Sequence, residues 1–109
     1  MRTLRFLVDK QIIKQDPECD FSNLIPGTSG YLEAKFDFSE EWNGFIRIVT
    51  FSSPLGNEYD DYCILKDGKT CILPAKPLEK DSYKIKVTGI KGEDKITTDY
   101  VTVKQGGAE

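Results

Sequence analysis

Residues 30–38 read Gly30-Tyr31-Leu32-Glu33-Ala34-Lys35-Phe36-Asp37-Phe38, and this stretch decides the fold class. Leu32, Ala34, Phe36 and Phe38 alternate with Tyr31, Glu33, Lys35 and Asp37. A period of two puts all the first set on one face, the pattern of a half-buried strand. The same reading extends outward in both directions. Residues 45–51 (Phe-Ile-Arg-Ile-Val-Thr-Phe) are β-branched and aromatic, and residues 82–90 set Tyr83, Ile85 and Val87 against Lys84, Lys86 and Thr88. Residues 2–8 and 11–14 make a hairpin split at Asp9-Lys10, where a glycine would suit the turn better. Residues 59–66 and 69–73 make a second hairpin about Asp67-Gly68. Residues 95–103 close the chain, with Val101 and Val103 as a core pair.

No helical period lasts three turns. The one helix-like signal is Ser39-Glu40-Glu41-Trp42, where Ser39 can cap a single turn. Seven to eight short strands with turns every 8–12 residues read as an all-β sandwich in two sheets. The chain has 109 residues, the size of one domain with one core. That domain is expected to span residues 1–104, with 105–109 as a flexible tail.

Composition excludes more than it proposes. With 15 basic and 18 acidic residues the formal charge is -3, which argues against nucleic acid as a partner. Histidine is absent, which removes Ser-His-Asp and Cys-His nucleophilic catalysis and every His-containing metal site. No acid stands out as half of a catalytic carboxylate pair, so the expectation is no enzyme, no cofactor and no metal. The acidic run Glu58-Tyr59-Asp60-Asp61-Tyr62 lacks the spacing of a calcium loop and reads as a charged edge strand. The apolar stretch at the N-terminus is broken by Arg5 and stopped by Asp9, too short for a signal-peptide core. No run approaches a membrane-spanning length. Synthesis in the cytoplasm without membrane insertion is therefore expected.

Three cysteines are an odd number and do not suggest a disulfide scaffold. A two-residue loop at Asp67-Gly68 would point Cys63 and Cys71 to opposite faces. A three-residue loop with Gly68 in a bulge would set them opposite one another, within reach of a bridge.

Several residues admit two readings. Residues 15–29 form a loop unusually long for a compact domain. Phe21, Leu24 and Ile25 within it either cover one end of the sandwich or dock on a partner. Trp42, the single tryptophan, is either a core anchor or a sugar-stacking platform, with Tyr31, Tyr59 and Tyr62 as further stacking candidates. Arg47, set in an apolar strand, either snorkels to solvent or pairs with an acid such as Asp37. Lys84, Lys86, Lys91 and Lys95 read as a solvated face.

The order of features also carries a resemblance. Phe36-Asp37-Phe38-Ser39-Glu40-Glu41-Trp42-Asn43-Gly44 runs on to Arg47, Val49 and Phe51. Leu65-Lys66-Asp67-Gly68, Cys71-Ile72-Leu73-Pro74, Tyr83 to Gly89, Ile96-Thr97-Thr98 and Val101 to Val103 follow. This resembles the small immunoglobulin-like virion proteins of tailed phages and prophages of Gram-positive bacteria, over roughly residues 30–103. The sequence departs from that pattern at Lys10, where glycine would be usual, and over Ser52 to Glu58. The resemblance implies an immunoglobulin-like sandwich in a tail, baseplate, head-fibre or capsid-decoration protein. It implies docking on other virion proteins or on further copies of itself, made in the host cytoplasm and located in the virion. The alternative is a carbohydrate-binding adhesion module for host-surface glycans.

Overall fold

The first sheet is laid down around the parallel pairing of two apolar-faced strands, β1 (Arg2–Asp9) and β3 (Leu32–Phe38). Their register sets Leu4, Phe6 and Val8 beside Ala34, Phe36 and Phe38, so both period-two faces turn inward together. β2 (Ile12–Gln15) flanks β1, and β6 (Thr70–Ile72) flanks β3, both antiparallel. The order is β2-β1-β3-β6. The second sheet is β5 (Tyr59–Ile64), β4 (Ile46–Ser52), β7 (Ser82–Lys91) and β8 (Asp94–Thr97) in that order, with β9 (Val101–Lys104) also on β7. The computed structural model describes residues 1–53 and 59–106, and the backbone alone at Tyr59 and Asp60. Among these residues the architecture is all-β, with two sheets of four and five strands. Their inner faces share one core of Leu4, Phe6, Phe36, Val49, Phe51, Tyr83, Ile85, Val87 and their neighbours.

A parallel pair cannot be joined by a tight hairpin; it needs a long return connection. Residues 10–31 make that connection: β2 runs back as far as Phe6, and residues 16–31 carry the chain past β1 to the start of β3 opposite Arg2. Phe21 packs edge-on against Phe6 with ring centroids 5.4 Å apart, and Leu24 is buried. The Arg2 guanidinium holds the segment down by donating to the carbonyls of Asp20 (2.9 Å) and Ser22 (2.6 Å).

Three expected boundaries differ. The β1–β2 turn falls on Lys10-Gln11 rather than Asp9-Lys10, since Asp9 pairs with Ile12. Lys10 takes the left-handed conformation (φ 57°) that glycine would occupy more easily. It is held there by Ser39 Oγ, which accepts its N–H at 2.9 Å, and by the Trp42 Nε1–H, which donates to its carbonyl at 2.8 Å. Residues 95–103 are two strands, because the chain leaves β7 at Asp99 to meet β2. There the Asp99 N–H donates to the Gln11 carbonyl, and Asp99 Oδ1 accepts the Ile13 N–H. Residues 105 and 106, expected in the tail, are held against the domain. Gln105 is buried, its side-chain amide donating to the carbonyls of Leu78 and Lys80, and Gly106 N–H donates to the Leu24 carbonyl.

The expected second hairpin is a crossing between sheets. β5 belongs to the five-stranded sheet and β6 to the four-stranded one. Gly68 (φ 80°) supplies the turn. Asp67 Oδ1 accepts the N–H of Lys69 and of Thr70, while Oδ2 accepts the Thr70 hydroxyl. Those bonds favour the ionised carboxylate, chiefly the Thr70 hydroxyl bond, and bring its pKa from 3.8 to about 2. A depressed folded-state pKa contributes stability that is present above pH 4 and lost as pH falls through about 2. The stability difference between the wild type and Asp67→Asn is therefore expected to shrink from pH 5 to pH 2, read by denaturant unfolding at each pH. A difference independent of pH would contradict this.

Tyr83 is fully buried on β7, and its hydroxyl has no hydrogen-bond partner among the described residues. Burial also pushes its ionisation upward. An orphaned buried hydroxyl costs about 1–3 kcal/mol. Tyr83→Phe should therefore stabilise the fold by about 1 kcal/mol, a Tm rise of roughly 4–8 °C in a domain of this size. A Tm decrease would show that the hydroxyl is bonded.

Candidate functional surface

Trp42 belongs to the core. It ends the 3₁₀ turn Glu40–Trp42, is fully buried, and lies 5.1 Å from the Phe38 ring and 6.5 Å from the Phe45 ring. No sugar can stack on it, and that candidacy falls. Tyr31 and Tyr62 are exposed, but Tyr31 precedes β3 of the first sheet and Tyr62 sits on β5 of the second. They do not form one platform. The Tyr59 side chain lies outside the described residues. Of the three docking candidates in the long loop, Leu24 is buried and Phe21 is packed on Phe6, so only Ile25 faces solvent. The apolar surface of Phe21 and Leu24 serves the crossover itself.

Arg47 neither snorkels nor meets Asp37. It sits inward at one end of the sandwich, its guanidinium carbon 4.2 Å from the Phe38 ring centroid. Nη1 donates to the Gly68 carbonyl and Nη2 to the Trp42 carbonyl, both at 2.8 Å. One side chain thus ties the Trp42 turn to the Asp67-Gly68 crossing. Cys19, Cys63 and Cys71 are free thiols. Cys71 is buried, and burial together with the neighbouring Cys63 thiol raises its pKa.

The exposed apolar residues gather elsewhere. On β4, Val49 and Phe51 point inward, which turns Ile46, Ile48 and Thr50 outward. Ile48 pairs with Ile64 of β5 on one side and Thr88 of β7 on the other; Ile46 pairs with Ile90, and Thr50 with Tyr62 and Lys86. The outer face of the five-stranded sheet therefore carries Ile46, Ile48, Ile64, Ile90 and Tyr62 side by side. Ile46, Ile64 and Tyr62 are 61%, 47% and 55% exposed, values high enough for a partner to cover them. A shallow depression of about 350 Å³ opens among Ile48, Thr50, Tyr62 and Thr88. Lys86 and Lys95 border the patch in the same registers.

No protein-family model, curated protein or solved structure matches this chain. What the chain does must therefore be argued from its own surface. Among the described residues no three Cys, Asp or Glu side chains gather as a metal site, and no helix is long and apolar enough to cross a membrane.

The β-character of residues 45–51 does not by itself reveal the outer-face isoleucines; the sidedness of the run does. Ile46 and Ile48 occupy one parity, and Val49 and Phe51 the other. An apolar run on both parities signals a strand covered on both faces, and the core cluster among the described residues covers the Val49 and Phe51 face.

Proposed function

We propose that the chain is a non-enzymatic docking module: a structural or accessory protein of a phage-type virion that attaches through the outer face of its five-stranded sheet. The observation that carries this is the contiguous patch of Ile46, Ile48, Ile64, Ile90 and Tyr62 on an otherwise alternating sheet. Contiguous exposed apolar surface is a mark of protein–protein contact sites. The patch is bordered by Lys86 and Lys95 on β7 and β8. The matching occupant is a neighbouring virion subunit whose surface is apolar at its centre and acidic at its margin.

The virion assignment rests on the resemblance carried by Phe36 to Gly44, Cys71 to Pro74 and Val87 to Gly89. Lattice symmetry suits it, since many weak contacts on one particle give avidity that a single small patch would not. Tail, baseplate, head fibre and capsid decoration all satisfy this reading. Mass spectrometry of gradient-purified particles tests it. The chain is expected in a fixed ratio to the major structural proteins, and its confinement to the soluble lysate would overturn the reading.

A further inference from the structure

A second surface, centred on the four-stranded sheet, carries more positive than negative charge among the described residues. β6 pairs with β3 over Glu33–Lys35 only, the last contact there being Phe36 N–H to the Lys69 carbonyl at 2.8 Å. β3 continues through Asp37 and Phe38 against β1 alone. A groove of about 440 Å³ is lined by β1 and β3 residues from Arg5 to Leu7 and Lys35 to Phe38, with Asp16 from beyond β2 and with Asn43, Arg47 and Lys69. Four cations line it (Arg5, Lys35, Arg47, Lys69) and two carboxylates (Asp16, Asp37), a net of +2 on a chain of net -3. The volume falls within the range of small-ligand clefts.

Two details make the imbalance more than a count. Arg5 and Lys35 are direct partners in the parallel β1–β3 register, and both point outward because Phe6 and Phe36 beside them point in. Like charges set opposite each other on neighbouring strands repel. Arg47 is held by two neutral carbonyls and the Phe38 face, and its buried Nε–H has no partner. Among the described residues, no carboxylate forms an ion pair with any of the four. Burial of an uncompensated guanidinium is unfavourable, and it shifts the Arg47 pKa downward.

We propose that this groove binds a phosphoryl group, which supplies the counter-charge that the chain withholds from Arg5, Lys35, Lys69 and Arg47. A phosphomonoester carries about -1.5 to -2 charge and three acceptor oxygens on one centre at neutral pH. That matches the net charge of the groove, where a lone carboxylate supplies half. Guanidinium and ammonium groups together are the usual donors for such oxyanions. Asp16 and Asp37 disfavour a second phosphate and offer acceptors to hydroxyl groups on whatever carries the first. The proposal is independent of the virion reading, since none of the groove residues belongs to the Ile46, Ile48, Ile64, Ile90 and Tyr62 patch.

The test is a two-dimensional amide NMR titration of the full chain with inorganic phosphate, phenyl phosphate and acetate at matched ionic strength. Saturable shifts at Leu7, Phe38 and Lys69 are expected with the phosphates, with Kd on the order of 1 mM or tighter. Tighter binding of phenyl phosphate identifies an esterified ligand, and equal or tighter binding of inorganic phosphate identifies the free anion. The double variant Arg5→Gln/Lys35→Gln should weaken binding by about tenfold or more. Its unliganded Tm should stay the same or rise, because the repelling pair is gone. Shifts as large in acetate, no saturable shift with either phosphate, or unchanged binding by the double variant would each overturn the proposal.

Discussion

Trp42→Ala is expected to cost about 3–5 kcal/mol, a large share of the roughly 5–15 kcal/mol that holds a domain of this size together. The indole is fully buried, and its ring spans Phe38 and Phe45. Its N–H donates to the Lys10 carbonyl, which steadies a left-handed lysine in the β1–β2 turn. Its carbonyl accepts from Arg47, which also grips Gly68. Truncation leaves a cavity at the point where the β1–β2 turn, the β3–β4 connection and the β5–β6 crossing converge. Denaturant unfolding followed by circular dichroism measures the loss. A cost below about 1 kcal/mol would show that the tryptophan does not anchor the core.

The second large effect comes from the residue facing that ring. Gly89 lies on β7 where an added Cβ would stand 2.8 Å from Trp42 Cζ3, 3.0 Å from Cε3 and 3.2 Å from the Phe45 Cβ. Aromatic ring atoms and a Cβ have no flexible end to swing aside, so the sheet or the ring must shift. Overpacking of this kind costs about 1–3 kcal/mol, and Gly89→Ala should lower the unfolding midpoint accordingly. The partner of the clash is identified by a double-mutant cycle. Trp42→Phe removes the outer ring of the indole, so Gly89→Ala should cost less in that background than in the wild type. Equal costs in both backgrounds would place the strain elsewhere.

The parts of the fold that were legible in the sequence are those set by neighbouring residues. Leu32, Ala34 and Phe36 are buried as their alternation requires, and so are Tyr83, Ile85 and Val87. The single turn at Glu40–Trp42 is where the sequence places it, but the Ser39 side chain does not cap it; Ser39 Oγ accepts the Lys10 N–H across to the β1–β2 turn instead. Pairing between distant strands was not legible, because the pattern of β1 and β3 fits an antiparallel or a parallel neighbour equally well. The parallel choice turned residues 16–31 into a crossover and drew Phe21 and Leu24 inward. Asp67-Gly68 shows the same limit. The carboxylate cap and the left-handed glycine serve a hairpin and a sheet-to-sheet crossing alike, so turn chemistry could not separate the two. Arg47 was expected to seek solvent or an acid. Carbonyls freed by two irregular segments took it instead, and these adjoin only in the folded chain.

The surface was legible in part. Ile46 and Ile48 share a parity opposite to Val49 and Phe51, which already implies two apolar faces on β4. That Ile64, Tyr62 and Ile90 extend the same patch depends on the registers of β5 and β7, which no local pattern states. The groove depends likewise on the pairing of β1 with β3.

Docking through the outer face of the five-stranded sheet is tested most directly by particle incorporation of the double variant Ile46→Lys/Ile64→Lys. Both side chains are about half exposed or more, so the variant should fold with a Tm near that of the wild type. Purified particles are expected to carry about tenfold less of the variant than of the wild-type chain, since a charge buried at the centre of an apolar contact is strongly disfavoured. A folded variant incorporated at the wild-type level would contradict the claim that this face is the docking surface.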